Sequence, residues 1–318
     1  MRRTLMLTLC LGLLAAACTS GGGPDPSPSA SRPSFNGEVA SADLYVGAPQ
    51  RFLIGLLAAD ADGVRYVSYG SIDLSFAFLG DGAAAPTAGP KATATYVGAP
   101  GTKTEGTAPT LTQPSEARGV YQAENVTFDQ VGTWQVTATS TVEGAGPLQV
   151  TAAFPVAGAP ALPAPGQRAL KTDNLTMRSK DEPLGAIDSR AVTGGSVPDK
   201  NLHQWTIADA IAQGRPALVA FATPVYCTSQ FCGPVVDAVE KLSQRFADRA
   251  VFIHVEIYHD NAAGEINQAA ADWLFRYGDM REPWLYLIGA DGKIADRWGV
   301  LWNPDEVAAE LRALPPMG

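Results

Sequence analysis

Residues 217–236 read ALVAFATPVYCTSQFCGPVV, and the rest of the chain is organised around them. Residues 217–222 are continuously apolar, the pattern of a strand buried on both faces. The loop that follows holds Cys227 and Cys232, separated by Thr228, Ser229, Gln230 and Phe231. Gly233 and Pro234 then open a helix whose inward face is marked by Val235, Val236, Val239, Leu242 and Phe246. Thiol–disulfide exchange needs one thiolate with a lowered pKa and a second thiol within bonding reach. A cysteine at a helix start sees unpaired N–H groups and the positive end of the helix dipole, and Cys232 fits that position. The spacing leaves open which of the two cysteines attacks.

Toward the C-terminus the pattern stays sharp. Residues 251–257 repeat the apolar strand with Val251, Ile253, Val255 and Ile257. Ile266, Ala270, Trp273, Leu274 and Tyr277 mark one face of a helix closed by Gly278. Residues 284–288 and 293–298 flank the turn Asp291-Gly292 and predict a hairpin. Asn303 caps a last helix with Pro304 at its first position. Upstream, Thr206 with Asp209 predicts a short capped helix ending at Gly214-Arg215-Pro216. The order is αβαβαββα. Residues 169–204 predict only an early strand and an extended approach.

That order, with a cysteine loop after the first strong strand, resembles the thioredoxin fold over residues 185–318. Cys232-Gly233-Pro234 resembles the opening of the thioredoxin Cys-Gly-Pro-Cys motif, and Glu282-Pro283 stands where that family keeps a cis-proline against its active site. The phrase TIADAIAQGRPALVAFATP is similar to secreted, membrane-anchored relatives in the thiol-disulfide and peroxiredoxin-like branch. The resemblance implies an α/β domain, a mixed sheet flanked by helices, with Cys227 and Cys232 as the catalytic pair. It also implies a substrate groove shaped by Pro283, Trp284, Gly233 and Pro234. The chain departs from the family in placing Val235 where its second cysteine stands and in lacking a buried acidic residue in the strand at 217–222.

In residues 37–157 the hydrophobic period is two. Ile72, Leu74, Phe76 and Phe78 alternate with Asp73, Ser75 and Ala77, and the same holds around Trp134–Ala138 and Leu148–Phe154. The run GVYQAENVTFDQVGTWQVTATS resembles the late strands of bacterial immunoglobulin-like modules. The expectation is therefore an all-β immunoglobulin-like sandwich, followed by a linker at 158–184. That first domain has no cysteine or histidine, which argues for a structural or adhesive role.

Residues 1–17 combine Arg2 and Arg3, an apolar run and three alanines ahead of Cys18, the three regions of a secretory signal. Small residues followed by cysteine resemble the lipobox of bacterial lipoproteins, although Ala15 stands where leucine is usual. The resemblance implies that Cys18 is lipid-modified and that the chain is held on the extracytoplasmic face of a membrane. Residues 18–36 are rich in Gly, Pro and Ser and read as a flexible tether, spanning roughly 20 Å root-mean-square. The net charge of −9, with no basic stripe, argues against nucleic-acid binding.

The expected partners are therefore extracytoplasmic protein thiols or disulfides, with no cofactor. A different class of reading is a non-catalytic binding or scaffold lipoprotein stapled by a structural disulfide. A copper-delivery protein fits less well. That family spaces its loop cysteines by three residues and keeps a histidine before the hairpin, where Glu282-Pro283-Trp284 stands here. Among the histidines, His254 reads as a satisfied mid-strand residue, His259 as solvent-facing, and His203 has no visible partner. No metal site is expected.

Overall fold

In the computed structural model, the residues described are 33–60, 63–80, 82, 85–103, 106–191, 195–227, 231–276 and 280–317. Nine strands occupy the first half: β1 (Ser34–Val39), β2 (Gln50–Asp60), β3 (Gly63–Ser68), β4 (Ser71–Gly80), β5 (Thr87–Gly98), β6 (Thr110–Thr112), β7 (Gly119–Val126), β8 (Gly132–Val142) and β9 (Gly146–Val156). Their alternation sorts the side chains. Ile72, Leu74 and Phe76 of β4 are buried while Ser71 and Asp73 are exposed, and Trp134, Val136 and Ala138 of β8 point inward.

All nine strands belong to one sheet. Its path runs β6–β3–β2–β7–β5–β4–β8–β9, with β1 also paired to β2, and every pairing is antiparallel. The sheet curls until β1 meets β9: a Cβ added to Gly37 would lie 3.0 Å from Val150 Cγ2. Inside the curl, Phe52, Phe76, Phe128 and Phe154 pack edge-to-face or tilted, with centroids 4.8–6.1 Å apart. Trp134 closes this core and donates its indole N–H to the Gln130 carbonyl at 2.9 Å.

The second half contains α1 (Leu184–Ile187), two short 3-10 turns (Ser189–Ala191 and Lys200–His203), α2 (Ile207–Ala212), β10 (Ala217–Ala222), α3 (Cys232–Phe246), β11 (Val251–Glu256), β12 (Tyr258–Asp260), β13 (Glu265–Ile266), α4 (Gln268–Leu274), β14 (Trp284–Ile288), β15 (Ile294–Gly299) and α5 (Pro304–Ala313). Four strands form a second sheet in the order β11–β10–β14–β15, with β10 parallel to β11 and the other pairs antiparallel. Thr206 accepts a hydrogen bond from the Asp209 N–H at 2.9 Å, and Asn303 accepts one from the Asp305 N–H at 2.9 Å, so both predicted caps form. Gly214, with φ of 62°, ends α2 in a conformation that disfavours side chains. Helix α4 is shorter than the pattern predicts: Ile266 lies in β13, and the expected stop at Tyr277 and Gly278 falls outside the described residues. The early strand expected in 169–204 is absent among the described residues, which hold α1 and the 3-10 turns instead.

The expected architecture, an immunoglobulin-like sandwich followed by a thioredoxin-like α/β domain, is overturned. Among the described residues the chain is mostly β, 42% strand against 18% helix, and a large curled antiparallel sheet dominates them. The first half is not two facing sheets but one continuous one. Period-two alternation shows which side chains face inward, and it is the same for a sandwich and for a sheet that curls on itself. In the second half the α/β character is slight, because α1, α2 and α4 have only 4, 6 and 7 residues. Pro33–Gly318 also forms one compact unit. Leu53 and Val120 of the curled sheet, with Ala99 just past β5, share a single buried cluster with Leu218, Cys232 and Trp298.

Candidate functional site

Cys227 and Cys232 are joined by a disulfide, with their Cα atoms 6.0 Å apart. Cys232 is the first residue of α3 and fully buried, while Cys227, in the loop before it, is partly exposed. The Cys227 N–H donates to the Thr223 carbonyl at 3.2 Å, which ties the loop back to the end of β10. Phe231 precedes the helix and supplies no side-chain cap, and Pro234 has no N–H to offer. The first-turn amides of α3 therefore meet no competing oxygen from the cap side chain. An anionic sulfur there is favoured by the helix dipole.

The bond between Glu282 and Pro283 is cis, and Pro283 is buried. Its carbonyl accepts the Val300 N–H at 2.8 Å. Val300 and Phe231 in turn line an open cavity of about 670 Å³ whose other wall comes from the curled sheet: Glu38, Tyr66, Arg118 and Val120 among others. Cys227, Phe231 and Val300 pack against the same buried cluster, together with Ala40 and Val97 of the first half. Gly233 and Pro234 are half-buried at the helix start, and a Cβ at Gly233 would make only ordinary contact with the Pro224 carbonyl, at 3.7 Å.

Trp284 is not part of this surface. In β14 the residues Leu285 and Leu287 face the core that holds Cys232, whereas Trp284 and Tyr286 face the opposite one. The Trp284 ring stacks on Tyr286 with centroids 5.8 Å apart, and the Arg297 guanidinium covers it at 5.3 Å. Cys18 lies outside the described residues. Among the described residues, no helix is long and apolar enough to cross a membrane.

A buried polar cluster adjoins the cysteine loop, and the sequence reading did not assemble it. Asp188 and His254 are fully buried, as is His203. Asp188 Oδ2 stands 3.3 Å from His203 Nε2 and 3.4 Å from His254 Nδ1. Arg190 grips the same carboxylate from the other side, Nε to Oδ1 at 3.0 Å and Nη2 to Oδ2 at 2.7 Å. Burial on its own would push the Asp188 carboxyl up, but the neighbouring His203, His254 and Arg190 outweigh it and hold the group well below the usual carboxylate range. Burial pushes the His203 imidazole down. For His254, burial acts in the same direction but is outweighed by the Asp188 carboxylate, which raises it. The next residue, Ser189, connects the cluster to the loop. Its N–H donates to Glu256 at 2.8 Å and its hydroxyl accepts the Val225 N–H at 3.2 Å. Three residues drawn from the end of α1, a 3-10 turn and a strand carry no spacing signature, so only the rarity of histidine in this chain pointed to them.

No family model matches the chain, and no solved structure matches it. It is similar to the translocator protein BipD of Burkholderia thailandensis, at 29% identity over 161 residues, covering 47% of this chain and 49% of that protein. The chain thus spans about half the length of that curated relative.

Proposed function

We propose that this protein carries out thiol–disulfide exchange on extracytoplasmic proteins through Cys227 and Cys232, held to a membrane by a lipid on Cys18. The observation that supports the reading best is the asymmetry of the pair. Cys227 is partly exposed, Cys232 is buried at a helix start with no side-chain cap, and Phe231 beside it lines an open cavity. An incoming substrate thiolate attacks the Cys227 sulfur. The Cys227–Cys232 bond breaks as the new Cys227–substrate bond forms, and the electron pair leaves on Cys232. The helix amides stabilise that leaving thiolate. A second substrate thiolate then attacks the substrate sulfur of the mixed disulfide and releases Cys227. The substrate ends as a disulfide, and the protein as a dithiol once two protons are taken up. The reverse sequence reduces a substrate disulfide.

Full burial of Cys232 supports a second reading, in which the bridge is inert and the protein a docking module. One titration separates the two. Equilibration in glutathione buffers, followed by thiol trapping and mass spectrometry, is expected to give a midpoint above about −300 mV, the level below which structural disulfides resist reduction. In the same buffers Cys232→Ala is expected to accumulate a mixed disulfide on Cys227. A midpoint below that level with no trapped adduct excludes exchange. The anchor is tested separately, by fatty-acid labelling that Cys18→Ala should abolish.

A further inference from the structure

His203, His254 and Asp188 come from three separate stretches of chain and converge on one point, with one ligand atom from each lying within 4.8 Å of the others. We propose that they form a binding site for a divalent transition-metal ion of the zinc class, set behind the cysteine loop and independent of the thiol chemistry. Three features argue for it.

The first is spacing. The two imidazole nitrogens stand 3.3 and 3.4 Å from Asp188 Oδ2. Charge-assisted N–H···O bonds run at about 2.7–2.9 Å. Two ligands each about 2.0–2.1 Å from a tetrahedral ion are about 3.3 Å apart. His254 Nδ1 makes no hydrogen bond despite its position, although the residue is completely buried.

The second is tautomer. His254 Nε2 lies 3.1 Å from the Ala222 carbonyl, which only accepts, so Nε2 carries a hydrogen. In a neutral ring that leaves Nδ1 with a lone pair aimed at a carboxylate oxygen, an arrangement relieved by a metal ion between them or by a proton on Nδ1. A ring N–H donated to a backbone carbonyl is also the usual outer support of a metal-bound imidazole, and a ligating carboxylate is usually held by a further donor, as Arg190 holds Asp188.

The third is charge. Arg190 is shared between Asp188 and Asp199, the latter at 2.8 Å, and Glu256 is buried on the Ser189 amide. Asp188 and Asp199, both largely or wholly buried, thus share one guanidinium, which also lies 3.6 Å from the exposed Asp237. A cation bound by neutral imidazoles offsets part of the negative charge gathered around Asp188, Asp199 and the buried Glu256. The triad is sealed from solvent, so loading accompanies folding.

The test uses the oxidised full chain, refolded from chelator-stripped protein with Zn2+ or Co2+ alone. One equivalent retained after gel filtration is expected. The cobalt form should show tetrahedral d–d absorption without thiolate charge transfer, and zinc-edge spectra should contain imidazole scattering and no sulfur shell. Cys227→Ala/Cys232→Ala should retain the ion; His254→Gln and Asp188→Asn should not. Failure of the wild-type chain to keep a stoichiometric ion overturns the proposal whatever the variants do. So does sulfur ligation lost in the double alanine variant, which would place the ion at Cys227, Cys232 and Glu282. A His254 ring carrying protons on both nitrogens, read by 15N NMR in zinc-loaded buffer, also overturns it, because a proton then takes the ion's place.

Discussion

Arg51 of β2 grips Asp296 of β15 with a two-pronged contact, Nη1 to Oδ1 at 2.9 Å and Nη2 to Oδ2 at 2.7 Å. The same guanidinium pairs with Glu306 of α5 and lies 4.9 Å over the Trp298 ring. A second contact of this kind joins Arg297 to Asp43 at 2.7 Å, both nearly buried. Charged pairs at this depth tie the curled sheet to the smaller one, and their geometry suits arginine because its planar fork matches a carboxylate.

Arg51→Met should therefore destabilise the whole unit. It strands Asp296 and Glu306, and losing hydrogen bonds to charged groups costs ~1.5–3 kcal/mol. Arg51→Lys should recover only part of this, since an ammonium cannot span both oxygens. Urea unfolding followed by tryptophan fluorescence and by far-UV dichroism should give superimposable single transitions in both variants. Two separated transitions would mean that the halves unfold independently and that the contact is incidental.

His259 carries a pH prediction. Its Nε2 lies 2.9 Å from Glu182 and its Nδ1 3.5 Å from Glu265. The hydrogen bond to Glu182 raises its pKa above the ordinary value, against a smaller effect of burial. A raised folded-state pKa adds stability that is present in full below the unfolded value of about 6.5 and disappears as pH climbs through the folded one. An imidazole titration by NMR should find a midpoint above about 6.5 that falls back toward it in Glu182→Gln. An unchanged midpoint in that variant would show that the contact does not hold in solution.

Local features of this fold are legible in the sequence, and global ones are not. The strand at 217–222, the caps at Thr206 and Asn303 and the hairpin around Gly292 follow from apolar runs, hydroxyl or amide caps and a glycine with positive φ. The single curled sheet does not, because inward and outward alternation is blind to how many sheets the strands build. At the site, the covalent reach of Cys227 and Cys232 was implied by their spacing. The side of the sheet on which Trp284 falls depends on strand register, and a groove residue by adjacency to Pro283 turned out to face the other core. The Asp188–His203–His254 cluster depends on how irregular segments fold back, where no period applies.

Asn174 should behave as a structural residue. It is buried, its Oδ1 accepts the Ile207 N–H at 2.8 Å, and its Nδ2 donates to the Trp205 carbonyl at 3.3 Å. Asn174→Ala leaves the first amide of α2 unpaired and should cost ~1–3 kcal/mol in chemical denaturation. It should leave the thiol midpoint of Cys227 and Cys232 unmoved, and a shift there would mean that α2 and the loop are coupled.

The last prediction concerns what the disulfide does for stability. Its cysteines are five positions apart, so reducing it frees a short loop. On the chain-entropy account, a bridge of that span is worth only about 2 kcal/mol. Cys227→Ala/Cys232→Ala should thus fold, with an unfolding free energy from urea titration lowered by no more than that amount, and reduction of the wild-type chain by a phosphine should lower it similarly. A bridge so cheap to open can cycle without unfolding the protein around it, which is what exchange requires. If the double variant or the reduced chain fails to fold, the bridge is holding the structure together, and an exchange role loses its physical basis.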